Sequence, residues 1–174
     1  LKRRAFEPAL YAIRGEELSL SGAALTALMR EVLSRGMPFR FRAKGWSMMP
    51  FILDGDVISV SPLRRGRPNI GDVVAFIRPE SESLVVHRVV ARRGEACLIQ
   101  GDNSWGEGDG LVPCANILGR VTRVERGGRA VRLGLGPERF LIAHLSRLGF
   151  LLPLWQRVSP LWRLLRPFSR RGAR

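Results

Sequence analysis

A serine, a histidine and a short acidic loop are the parts of this sequence whose side chains could together do hydrolytic chemistry. Ser47 lies in Lys44-Gly-Trp-Ser-Met-Met-Pro-Phe-Ile52, a glycine-punctuated turn that runs into an apolar pair and a proline. The run is not a G-x-S-x-G nucleophile elbow, because Met49 stands where the second glycine would be. A serine hydroxyl is a weak nucleophile at neutral pH and needs a base within hydrogen-bond reach, so alone Ser47 reads first as a turn residue. His87 sits in the apolar run Leu84–Val90. A two-residue alternation there puts Val85, His87 and Val89 on one face and Leu84, Val86, Arg88 and Val90 on the other. Such a histidine is an ordinary strand residue unless a neighbour uses its readiness to exchange a proton near neutral pH. The one other histidine, His144, falls in a basic C-terminal region. Between strand-like runs, Gly101-Asp-Asn-Ser-Trp-Gly-Glu-Gly-Asp-Gly110 carries Asp102, Glu107 and Asp109. Each is a candidate to orient an imidazole, the third role in a serine triad.

Metal chemistry has no foothold in these motifs. An EF-hand would need an Asp or Asn at the place of Gly106 and a glutamate at that of Pro113. Cys97 and Cys114 form no C-x-x-C and read as two buried free thiols. No cofactor or metal is expected.

The elements that must position these groups follow from periodicity. Leu25, Leu28, Met29, Val32 and Leu33 fall at helical spacing, Ser21 can cap and Gly36 can stop, which predicts a helix over 21–35. From Pro38 onward the text changes to short β-branched or alternating runs at 39–41, 57–60, 73–77, 84–90, 97–99, 117–124 and 130–133. Gly and Pro punctuate them at intervals of roughly ten residues, the spacing of an antiparallel sheet or barrel. Gly-Asp recurs at 55–56, 71–72, 101–102 and 108–109, first of all as turn residues. After Gly136 the pattern turns helical again, cut by Pro153, Pro160 and Pro167. The expected organisation is an N-terminal extension over 1–37, a β-rich domain over 38–136 and an Arg-rich amphipathic tail over 137–174.

Taken in order, Gly45-Trp-Ser-Met-Met-Pro50, Asp54-Gly-Asp-Val57, Gly71-Asp-Val-Val74, His87-Arg-Val-Val90, Gly101-Asp-Asn103 and Gly119-Arg-Val121 resemble the signal peptidase I type of serine protease. Its superfamily also holds the self-cleaving LexA-type repressors. The resemblance covers Phe39–Val124, about half the chain, and rests on six boxes in family order. It implies a mainly β fold, a coiled sheet or half-barrel, in which Ser47 attacks a carbonyl of an extended peptide with small side chains at −1 and −3. Most bacterial members and the LexA-type repressors use a lysine base downstream of the serine, and no lysine follows Lys44 here. The slot falls on His87, as in endoplasmic-reticulum, archaeal and some Gram-positive signal peptidases. The aspartate that completes their site maps to Asp109, with Asp102 as a supporting or alternative group and Glu107 as an extra acid. Gly45 departs from the pattern, since many relatives carry there a serine that helps bind the oxyanion.

Charge bears on partners. The 174 residues carry a net charge of +14, and all but two of the 29 basic residues are arginine. Half of that charge lies in Pro137–Arg174, with eight arginines and one acid. Phe140, Leu141, Phe150, Leu151, Trp155, Trp162 and Phe168 mix with those arginines, which predicts either peripheral contact of 138–174 with an anionic membrane surface or a first helix that covers an apolar face of the β domain with only the last residues solvated. No run reaches the ~18–20 apolar residues of a spanning helix, and Arg3, Arg4, Glu7 and Arg14 interrupt a signal-peptide core. The expected location is the surface of a membrane, on an undefined side, with a cytoplasmic protein as the alternative. Two other functions compete with a peptidase acting on an extended peptide or preprotein: a LexA-type DNA-linked regulator and an inert peptide-binding relative. One clear helix before Pro38 is too little for a helix-turn-helix, which argues against specific nucleic-acid binding.

Overall fold

The computed structural model describes residues 22–63, 67–104, 108–151, 153 and 157. Helix α1 spans Gly22–Ser34. It leads into eight strands: β1 Phe39–Arg42, β2 Val57–Ser61, β3 Val73–Ile77, β4 Leu84–Arg93, β5 Ala96–Gln100, β6 Leu111–Pro113, β7 Ile117–Arg126 and β8 Arg129–Val131. Helix α2, Arg139–Arg147, follows. The strands form one antiparallel sheet in the order β1-β2-β7-β3-β4-β5-β6, and β8 pairs with the end of β7 as a hairpin. β1 and β6 stand at opposite ends of that order, so the sheet is open and not a closed barrel. The expected mainly β fold with a leading helix and a C-terminal helix is what is found.

β6 is the strand that periodicity misses. It is three residues long and ends in Pro113, a residue without an N–H to give to a ladder. It survives because it pairs on one side only, with β5, and an edge strand tolerates proline.

Both faces of the sheet are covered near its centre. Val73 and Ala75 pack with Ile58, Val60, Val121 and Val124 on one face, together with Met29 and Leu33 of α1 and Met48 and Ile52 of the β1–β2 connection. Val74 and Phe76 pack with Val89, Cys97, Ile99, Val112 and Ile117 on the other. That is why β3 is an unbroken apolar run, buried at all five positions. The alternation read along β4 holds: Leu84 and Val86 join the first cluster, Val85 and Val89 the second. α1 contributes a narrower stripe than its sequence suggests. Met29 and Leu33 are buried, while Leu28 is 45% exposed; among the described elements the helix packs mainly on β7 and β1.

Two turns use Gly-Asp as expected. Asp56 accepts the Leu53 N–H at 2.8 Å and Asp72 accepts the Asn69 N–H at 2.9 Å. Asp56 also takes a two-pronged hydrogen bond from Arg126 on β7, at 2.9 and 2.8 Å. Burial opposes ionisation of Asp56, but Arg126 and the Leu53 N–H outweigh it and hold the carboxyl below its ordinary value. Both cysteines are free, with Sγ atoms 4.0 Å apart; Cys97 is buried and Cys114 half-buried. Burial, reinforced by the neighbouring Cys114 thiol, pushes Cys97 up to about 12, so it behaves as a small apolar side chain.

α2 buries Ile142, Ala143 and Ser146 against the sheet beside β4. Phe140, Leu141, Leu148 and Phe150 remain exposed. Among the described residues no helix is long and apolar enough to cross a membrane. Trp155, Trp162, Phe168 and the last arginines of the expected tail lie outside the described residues, as does Ser21.

Met29 is fully buried and Leu28 is not, so the two should behave differently on truncation. Met29→Ala should destabilise the fold by ~2–5 kcal/mol through lost burial and a cavity, and Leu28→Ala by under ~0.5 kcal/mol. Urea unfolding of both variants measures the contrast.

Candidate active site

The Ser47 turn is held at both ends. Met48 and Ile52 are core residues, and the Gly45 N–H donates to Asp54 Oδ1 at 2.9 Å. Gly45 has φ +97, a left-handed conformation in which a residue with a Cβ is strained. The local backbone thus accounts for glycine at this position. The Ser47 carbonyl accepts the Asn103 N–H at 2.7 Å, and Asn103 Nδ2 donates to the Trp46 carbonyl at 3.1 Å. Those two bonds fasten the serine turn to the loop that follows β5. Trp46, next to the serine, is 62% exposed.

His87 is buried on β4, opposite Val74 of β3. Its Nε2 lies 2.8 Å from Ser47 Oγ, and its Nδ1 hydrogen-bonds Asp109 Oδ2. With Nδ1 protonated, that nitrogen donates to the carboxylate and Nε2 accepts from the hydroxyl. Ser47, His87 and Asp109, far apart in sequence, are therefore brought into one hydrogen-bonded line. The Asp109 side chain is enclosed, and its second oxygen accepts from Arg78 Nε at 3.1 Å and from Arg78 Nη2. Burial alone would favour the neutral acid. The hydrogen bonds from His87 and Arg78 and their charges outweigh it and hold the Asp109 carboxyl below its ordinary value.

Asp102 has another place. Its oxygens accept from Arg88 Nε at 2.8 Å and Nη2 at 2.7 Å, with both side chains wholly buried. Arg88 Nη1 donates to the Gly71 and Gly134 carbonyls at 2.9 and 2.8 Å, and its guanidinium lies 5.5 Å from the Phe51 ring centre. Complete burial pushes the Asp102 carboxyl up, against the opposing pull of Arg88. The sequence reading set Asp102 beside Asp109 as a second acid for His87, but its hydrogen bonds run to the next residue on the strand. Arg88 faces away from His87 because successive strand side chains alternate. Glu107, the third acid considered, lies outside the described residues, as does Trp105. His144 is exposed on α2.

Gly101, read from the sequence only as a turn residue within a motif box, and Arg78, which motif reading left without a role, both border this line. A Cβ on Gly101 would come within 2.7 Å of the Ser47 carbonyl, 2.5 Å of Ser104 Oγ and 3.1 Å of His87 Nε2. Only glycine lets this loop approach the serine and the imidazole so closely. Arg78 follows β3, thirty-one residues before its acid, and nothing local in the sequence distinguishes it from the other arginines.

The family model for signal peptidase, peptidase S26, matches residues 18–109, just over half of the chain, and the chain belongs to that family. The match begins ahead of α1 and ends at Asp109, whereas the resemblance read from the motifs began at Phe39 and ran on to Val124. No curated protein matches the chain.

Because the Arg88–Asp102 pair is sealed from water, removing one partner should be costly. Asp102→Ala should lower stability by ~3–5 kcal/mol, the usual cost of leaving a buried charge uncompensated. Guanidinium unfolding of that variant beside Glu95→Ala, an exposed acid, is the check.

Proposed function

We propose that this protein is a serine endopeptidase of the signal-peptidase type that cleaves an extended peptide by a Ser-His-Asp mechanism. The observation that carries the reading is the unbroken line from Ser47 Oγ through His87 to Asp109 in a chain of the signal peptidase family. In the first step His87 Nε2 takes the Ser47 proton as Oγ attacks the scissile carbonyl carbon, giving a tetrahedral oxyanion. Its collapse breaks the C–N bond; His87 returns the proton to the leaving amine and an acyl-Ser47 ester remains. Water then attacks the ester, its proton passing to His87 and on to Ser47 Oγ as the new carboxyl product leaves. Asp109 fixes the imidazole tautomer and stabilises the imidazolium.

The Ser47 N–H meets no acceptor among the described residues, so it is available to the oxyanion. Glycine at 45 removes the side-chain donor many relatives use there. The expected substrates are preproteins with small residues at −1 and −3, as family membership suggests. Ser47→Ala and His87→Ala should each abolish cleavage of a preprotein-derived peptide, while Asp109→Asn should lower kcat by ~10²–10⁴ with the fold intact. Full activity in the serine or histidine variant would refute the mechanism. An inert peptide-binding relative predicts no cleavage by any of the four proteins.

We further propose that the α2 region touches an anionic membrane surface. Leu133, Phe140, Leu141, Leu148 and Phe150 are exposed, and Arg129, Arg132 and Arg147 are exposed with them. Apolar side chains among cations fit a headgroup boundary, where each cation contributes ~1 kcal/mol. The intact chain should float with anionic vesicles, less so in high salt, and not with neutral ones. Leu141→Glu with Phe150→Glu should reduce flotation; unchanged binding of the double variant would exclude this face.

A further inference from the structure

We infer that Arg78 is a fourth member of the site, a positioning residue that locks the Asp109 carboxylate against His87; the inference rests on the Ser-His-Asp reading above. Asp109 sits on the connection between β5 and β6, where the backbone does not fix the rotation of the side chain. Gly108 and Gly110 flank it, both with positive φ, and among the described residues two bonds with Ile99 hold this stretch, Asp109 N–H to the Ile99 carbonyl at 3.0 Å and Ile99 N–H to the Gly110 carbonyl at 3.2 Å. A carboxylate there is free to swivel unless both oxygens are engaged. One oxygen takes the imidazole. Arg78 takes the other, with Nε and Nη2 converging on Oδ1, which leaves Oδ2 to His87.

Arg78 can act as an anchor because its own backbone is fixed. It immediately follows β3, its N–H donates to the Ser83 carbonyl at 3.0 Å, and its carbonyl accepts the Glu82 N–H at 2.9 Å. Those bonds close the turn between β3 and β4, and β4 carries His87. The base and the group that clamps its acid thus belong to one hairpin. The loop acid, Asp109, is held between two points on that hairpin, which is how a site on a loop gains precision. A guanidinium also offsets the burial of the carboxylate, although at 36% side-chain exposure part of its charge is screened by water. The charged groups acting on Asp109 are His87 from β4 and Arg78 from the end of β3.

The test follows kcat and KM against pH for cleavage of a preprotein-derived peptide by the full chain and by Arg78→Ala, Arg78→Gln and Arg78→Lys. Removing the guanidinium withdraws a positive charge from beside the His87–Asp109 pair, so the pair takes up a proton more readily and the acid limb of kcat should move to higher pH in the Ala and Gln variants. A misplaced acid should also lower their kcat by ~10- to 10²-fold, with KM unchanged. Lysine restores the charge but not the fork, so Arg78→Lys should recover the acid limb and only part of kcat. If Arg78 only supports the fold, the variants lose active fraction and thermal stability while the pH profile superimposes on that of the parent, and the inference is overturned. The underlying mechanism fails separately, and takes the inference with it, if Ser47→Ala still cleaves or the parent chain cleaves nothing.

Discussion

The fold turns on a buried ion pair that adjoins the candidate site without taking part in its hydrogen-bonded line. Arg88 and Asp102 are wholly enclosed, and neither charge could stay there without the other. Arg88 therefore dictates where three segments go: the loop beginning at Gly101, the turn at Gly71 and the turn at Gly134, whose atoms its guanidinium bonds. Through Asn103 the same loop fastens the Ser47 turn. The adjacent residue, His87, points to the opposite face of β4, toward Ser47 and Asp109. One strand thus uses its two faces for different tasks, a structural clamp on one and a titratable line on the other.

The same logic recurs at the other buried acids. Asp56 is met by Arg126, Asp109 by Arg78, and Asp72 lies 3.6 Å from both Arg120 and Arg139. This gives the bias toward arginine a structural meaning beyond net charge. A planar fork can approach a carboxylate through two nitrogens at once and keeps its charge when enclosed, which an ammonium does less well. The pairs at Asp56 and Asp109 also share a thermodynamic sign. Each carboxyl is held below its ordinary value, so each contributes stability that is present above the unfolded-state pKa near 3.8 and lost as the pH falls toward the folded value. Asp102 has the opposite sign, its carboxyl being pushed up by burial. Its contribution to stability therefore falls as the pH rises past the unfolded-state value, and its two hydrogen bonds from Arg88 fix where the loop lies.

By itself the sequence determined the family, the β-rich character, α1 and most strands, because these depend on local periodicity, turn chemistry and boxes in order. It also picked out Ser47 and His87, with Asp102, Glu107 and Asp109 left as candidate acids, through motif resemblance and the lack of any lysine after Lys44. The faces of β4 were legible because alternation along a strand follows from the geometry of a tetrahedral Cα. What only the tertiary structure decided is pairing across distance. Which acid faces His87 depends on where the chain returns after β5, and along that return Asp102 meets Arg88 while Asp109 meets His87. Arg78 and Asp109 are joined by two elements that meet in space, so no window of sequence contains the pair. β6 was hidden because an edge strand with a proline lacks the pattern a paired strand must keep. Leu28 looked like core because periodicity marks an apolar stripe, and only packing sets how much of that stripe finds a partner.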